Sequence, residues 1–163
     1  MNVLKPQVVL HDMIDVRKVI MNKNLHLLNV YQDDYVKVEV DENASFIYVE
    51  WFLHPDSQNF RRIFRKLTDI TLETRSAFWL SDARAIRYIE FADQNWMLSE
   101  IVPRLKNSQL VKFARLSTAE SIALMDVVRI YDMVVKLVDI DLKDKMEVFT
   151  DKEAALHWLF ADA

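Results

Sequence analysis

The sequence has no glycine, no cysteine and only 3 prolines among its 163 residues. Without cysteine there is no disulfide, no thiol nucleophile and no cysteine-ligated zinc or iron–sulfur site. Glycine makes up about 7% of an average protein. Its absence excludes the phosphate-cradling P-loop, the dinucleotide-binding fingerprint and the G-x-S-x-G nucleophile elbow. An excess of basic charge is also missing: 21 Lys and Arg stand against 25 Asp and Glu, for a net charge of −4. Nucleic acid, which needs a basic surface, is therefore not an expected partner.

Long apolar runs are lacking too. The most apolar stretch, 119–138, is interrupted by Asp126, Arg129, Asp132 and Lys136, which makes it a poor membrane span. Near the start, Lys5, His11, Asp12, Asp15, Arg17 and Lys18 break up any segment that could serve as an export signal, so a cytoplasmic protein is expected. The histidines, His11, His26, His54 and His157, show no metal-ligand spacing, and neither a metal nor a cofactor is expected.

What is present is an ordinary globular composition, 52% hydrophobic and 28% charged. No linker or repeat divides it, so one domain over 1–163 is expected, with residues 1–22 as an N-terminal helical arm. Val9, Met13, Val16, Val19 and Ile20 give that arm its apolar face. Strands are expected at 25–31, 36–40, 46–52, 77–82, 110–115 and 146–149. The segment 36–40 alternates apolar and charged residues, whereas 46–52 is almost continuously apolar, as a strand covered on both faces would be.

Phe60, Ile63, Phe64, Leu67 and Ile70 fall at helical spacing, with Arg61, Arg62, Arg65 and Lys66 forming a basic, solvated face opposite them. This predicts a helix over 57–74, started by Pro55 and capped by Asp56 or Ser57. Arg65 and Asp69 are placed for an i,i+4 pair. A second helix starts near Ala92 and is expected to kink or end at Pro103. Ser117-x-x-Glu120 and Thr150-x-x-Glu153 read as capping boxes ahead of helices over 118–138 and 151–159. Strands alternating with helices from residue 46 onward predict an α/β fold with a mostly parallel sheet.

The ordered series Tyr48-Val49-Glu50-Trp51, Trp79-Leu80-x-Asp82-x-Arg84, Asp93-Gln94-x-Trp96, Pro103-Arg104-Leu105 and 147–149 leading into 151–159 resembles the STAS-like superfamily. These are bacterial proteins with the fold of the sporulation anti-sigma-factor antagonists. The resemblance implies a mixed, mostly parallel sheet of four to six strands with helices mainly on one face. It also implies a non-enzymatic module that acts by binding protein. In those antagonists a phosphorylated Ser opens the helix after the third strand. The matching junction here, Arg84 to Asp93, holds no Ser or Thr, so the module would act without that switch. A more distant likeness to the CRAL-TRIO lipid-binding fold makes a small apolar ligand or lipid the alternative.

The candidate binding residues are Glu50, Asp82, Arg84, Asp93, Trp96 and Arg104. Asp82, Arg84 and Asp93 surround the carboxyl end of one strand, the edge at which open α/β sheets bind ligands. Arg84 or Arg104 could grip Asp82 bidentately. The competing expectation is an ion pair with a purely structural role. Glu50 interrupts an apolar strand and needs a partner. With Asp82 or Asp93 it would supply the carboxylates for acid/base hydrolysis, a remote alternative. Ser81 has no nearby base and is a weak nucleophile candidate. Trp51, Trp79, Trp96 and Trp158 sit at core positions, and Trp96 could instead line a small pocket. The helix over 118–138 is more apolar than one sheet contact requires. Leu124, Val127, Ile130 and Met133 are therefore the expected interface of a homodimer.

Overall fold

The computed structural model describes residues 24–124 and 145–161. Among these residues, six strands form one sheet in simple chain order. Strands β1 (Leu28–Gln32), β2 (Val36–Asp41) and β3 (Phe46–Trp51) run antiparallel to one another. Strands β4 (Phe78–Asp82), β5 (Lys112–Leu116) and β6 (Met146–Phe149) continue from β3 in parallel. The fold is α/β with a mixed, mostly parallel sheet.

The helices are α1 (Ser57–Glu73), α2 (Phe91–Trp96), α3 (Val102–Lys106), α4 (Ala119–Leu124) and α5 (Lys152–Phe160). A π-helical turn, Met97–Ile101, joins α2 to α3. The expected kink at Pro103 takes this form. Proline has no N–H to offer the carbonyl four residues back, and its ring crowds that carbonyl. The backbone widens one turn earlier, with the Val102 N–H donating to Met97 O.

Both faces of the sheet are covered. On one, Val36, Val38, Ile47, Val49, Trp51 and Trp79 meet Phe60, Ile63, Phe64 and Leu67 of α1, together with Trp96 and Ile101. On the other, Phe46, Tyr48, Leu80, Ala114 and Leu116 meet Ala155, Leu159 and Phe160 of α5. Strand β3 is buried on both faces, as its almost continuous apolar run predicts, with Glu50 half-buried. Strand β1 is mostly exposed and carries a bulge between Asn29 and Tyr31.

A chain without glycine still needs left-handed backbone, at two turns among the described residues. Ser45 (φ 51°) and Arg75 (φ 51°) supply it. Ser45 closes the β2–β3 hairpin, where Asp41 accepts from the Ala44 N–H. Arg75 follows the end of α1, with its N–H on Leu72 O and the Ser76 N–H on Thr71 O. This is the bond pattern that glycine usually completes.

The helix starts correct the sequence reading by one residue each. Thr118, not Ser117, caps α4, its Oγ1 accepting from the Ser121 N–H. Asp151, not Thr150, caps α5 by accepting from the Ala154 N–H. Ser117 instead closes the strand, its N–H donating to Phe149 O and its Oγ accepting from Arg115 Nε. At α1 the cap is Asp56, as expected. The expected arm over 1–22 lies outside the described residues, as do Val127, Ile130 and Met133. Of Leu124 only the helical backbone is described. No helix among the described residues is long and apolar enough to cross a membrane.

Candidate functional site

Asp82 ends β4 and is 3% exposed. Arg84 grips it with both arms, Nε to Oδ1 at 2.9 Å and Nη2 to Oδ2 at 2.7 Å, while Tyr48 Oη donates to Oδ2 at 3.2 Å. Burial on its own would raise the Asp82 pKa; the Arg84 hydrogen bonds and charge outweigh it and hold the carboxyl below its ordinary value. Burial and the adjacent carboxylate push the Tyr48 hydroxyl well above its usual range. Lys152 of α5 lies over the Tyr48 ring, 4.2 Å from its centroid. Glu50, on the same strand face as Tyr48, meets Lys37 at 3.6 Å.

Asp93 does not join this group. It lies on the other face of the sheet, at the start of α1, where it accepts from Ser57 Oγ and Arg61 Nε, each at 2.7 Å. Arg104 is not near Asp82 either; it pairs with Asp69 at 2.6 Å. That contact corrects the expected Arg65–Asp69 pair, since Arg65 lies over the Trp96 ring at 5.1 Å. Arg61 approaches the same ring at 5.6 Å. The basic face of α1 is thus not simply solvated. Arg62 bonds Asp33 and Tyr31, and Lys66 sits over the Tyr31 ring. These side chains fasten α1 to β1 and α2. Trp96 is a core residue, 9% exposed.

The concave feature of this face is a cleft of about 450 Å³ at the carboxyl ends of β3 and β4. Residues 54–57 and 60, from the loop after β3 and the start of α1, form one wall; 88–90 and Asp93, from the loop before α2, form the other. Because β3 and β4 are parallel neighbours, their outgoing loops emerge side by side. They are joined directly: His54 Nδ1 accepts from the Arg87 N–H at 3.3 Å, and the His54 and Tyr88 rings lie 4.6 Å apart. The His54 ring is thereby oriented with its other nitrogen free to carry the proton.

Phe60 and Ile89 are buried walls of the cleft. Asp56 and Glu90 are exposed lining residues. Hydrogen bonds from Asn59 hold the Asp56 carboxyl below its ordinary pKa, so it is ionised at neutral pH. Among the described residues no Lys or Arg lines the cleft, and the Asp93 charge is answered by Arg61. Next to the lining in sequence stand Phe52, Leu53 and Phe91, exposed at 41%, 52% and 60%; Tyr88, in the lining itself, is 46% exposed.

Of the residues picked from sequence, Asp93 lines the cleft, whereas Glu50, Asp82 and Arg84 form the separate ion-pair group and Arg104 and Trp96 serve α1 packing. The sequence reading passed over His54, Tyr88 and Glu90. An available signal was the crowding of large apolar residues at 52–53 and 88–91, outside any amphipathic pattern. Among the described residues no group of His, Asp or Glu could hold a metal. Comparison with protein-family models, with curated proteins and with solved structures found no match.

Proposed function

We propose that this chain is a non-enzymatic, STAS-like binding module that docks a partner protein at the carboxyl edge of β3 and β4. The mixed sheet is the fold the STAS-like resemblance implies. The observation that carries the docking reading is the meeting of two loops at one cleft, with exposed Tyr88 in its lining and exposed Phe52, Leu53 and Phe91 beside that lining in sequence. Exposed apolar side chains gathered beside a cleft are a mark of interaction surfaces. The occupant is a partner that inserts a cationic side chain. Asp56 and Glu90 supply negative charge, and the Tyr88, His54 and Phe60 rings supply faces against which an ammonium or guanidinium packs. The carboxylates tell against a small apolar ligand in this cleft. Acid/base hydrolysis has no support from Glu50, Asp82 and Asp93, each of which is held in an ion pair.

The test is an NMR titration of the whole chain with short capped peptides containing lysine, norleucine or glutamate. The lysine peptide is expected to shift the amides of Tyr88, Ile89 and Glu90 saturably, and Glu90→Lys is expected to abolish the response while leaving the rest of the spectrum intact. Equal shifts with norleucine, or none with lysine, would remove the cationic occupant.

A further inference from the structure

Arg115 lies on β5 in the middle of the parallel sheet, 8% exposed, on the face covered by α1. Its neighbours in register are Ser81 on β4 and Val148 on β6. Along its own strand the residues of the same face are Phe113 and Ser117. All four are neutral. Nε donates to Ser117 Oγ at 3.0 Å, and Nη2 is buried with no hydrogen-bond partner. Asp82, next to Ser81 on β4, faces the opposite side of the sheet and is already taken by Arg84, and Glu120, five residues on, is exposed. Burial pulls the Arg115 pKa down only to about 10, so the guanidinium is charged at neutral pH.

A buried charge without an opposite one costs several kcal/mol, and natural proteins rarely leave it unanswered. The position is also the carboxyl end of a parallel strand, where open α/β sheets receive ligands. From the buried, unfilled Nη2 and its neutral neighbours among the described residues we infer that Arg115, with the Ser81 and Ser117 hydroxyls beside it, forms a receptor for one small oxyanion, a phosphate or a carboxylate. This site is distinct from the β3–β4 cleft. Arg115 supplies the charge and the two N–H groups of Nη2, donors suited to the oxygens of one anion. Ser81 stands beside it on the same face.

The experiment measures thermal unfolding of wild type and Arg115→Met in chloride, phosphate or acetate at one fixed ionic strength, alongside calorimetric titration of wild type with each anion. Saturable binding to wild type is expected, with the melting temperature raised roughly 5 °C or more at about a hundredfold excess over Kd. Arg115→Met is expected to melt as high as anion-free wild type or higher, since it removes an uncompensated charge, and to ignore the anion. Preference between phosphate and acetate identifies the oxyanion class. Two results would overturn the inference. One is the same anion response in Arg115→Met, which would mark a surface effect. The other is the absence of binding to wild type; if Arg115→Met were then severely destabilised in every buffer, the counter-charge would belong to the chain itself. The titration of wild type decides the matter even if the variant fails to fold.

Discussion

The Tyr48–Asp82–Arg84 group shows how one carboxylate can be structural although it sits where ligands usually bind. Asp82 is nearly inaccessible and uses both oxygens on Arg84, so it has little left for a ligand. The folded state holds its pKa below the ordinary value. Its contribution to stability is therefore complete above the unfolded pKa of about 3.9 and is lost as pH falls through the lower, folded value. Asp82→Asn is expected to cost about 1–2 kcal/mol at pH 7, since Arg84 is half exposed and regains water. Urea unfolding at a series of pH values should show the gap between variant and wild type closing progressively below about pH 4. A gap independent of pH would assign the loss to packing instead.

At the level of elements, the glycine-free turn after α1 carries a local backbone cost. Arg75 holds a left-handed conformation that costs a residue with a Cβ about 1–2 kcal/mol. Arg75→Gly removes that cost but adds flexibility to the unfolded chain, about 0.5–1 kcal/mol. The net expectation is a stabilisation of about 0.5–1 kcal/mol, read as a higher urea midpoint with unchanged slope. Helix α1 was legible in the sequence because its apolar stripe and its Asp56 cap agree. The cap of α4 was displaced by one residue because Ser117 still belongs to the end of the sheet, its N–H donating to Phe149 O and its Oγ accepting from Arg115 Nε; at α5 the carboxylate of Asp151 takes the cap. Pattern alone does not reveal where a neighbouring strand stops. The π turn before Pro103 was equally hidden, since proline announces a disruption without saying how the backbone absorbs it.

Over the whole molecule, the strand sequence and the parallel character of the sheet were readable from alternating elements, and the double burial of β3 from its apolar run. The cleft was not. Its walls come from loops more than thirty residues apart, and only the side-by-side pairing of β3 and β4 brings His54 to Tyr88. The Asp82–Arg84 pair was legible because its members are two residues apart; the Asp93–Arg61 pair was not, because it crosses between helices. The second face of the sheet depends on α5. Leu159 is fully buried against it, so Leu159→Ala should cost about 2–5 kcal/mol in equilibrium unfolding. A loss under about 1 kcal/mol would show that α5 is only loosely attached.

The spatial order of the strands repeats their order along the chain, so during synthesis each strand finds its neighbour already made. The cleft has all its parts once α2 has left the ribosome. Phe46, Tyr48, Leu80, Ala114 and Leu116, by contrast, wait for α5, which follows the last strand. A nascent chain of this design passes through a stage with one greasy side uncovered, and that interval is when a chaperone has most to offer it.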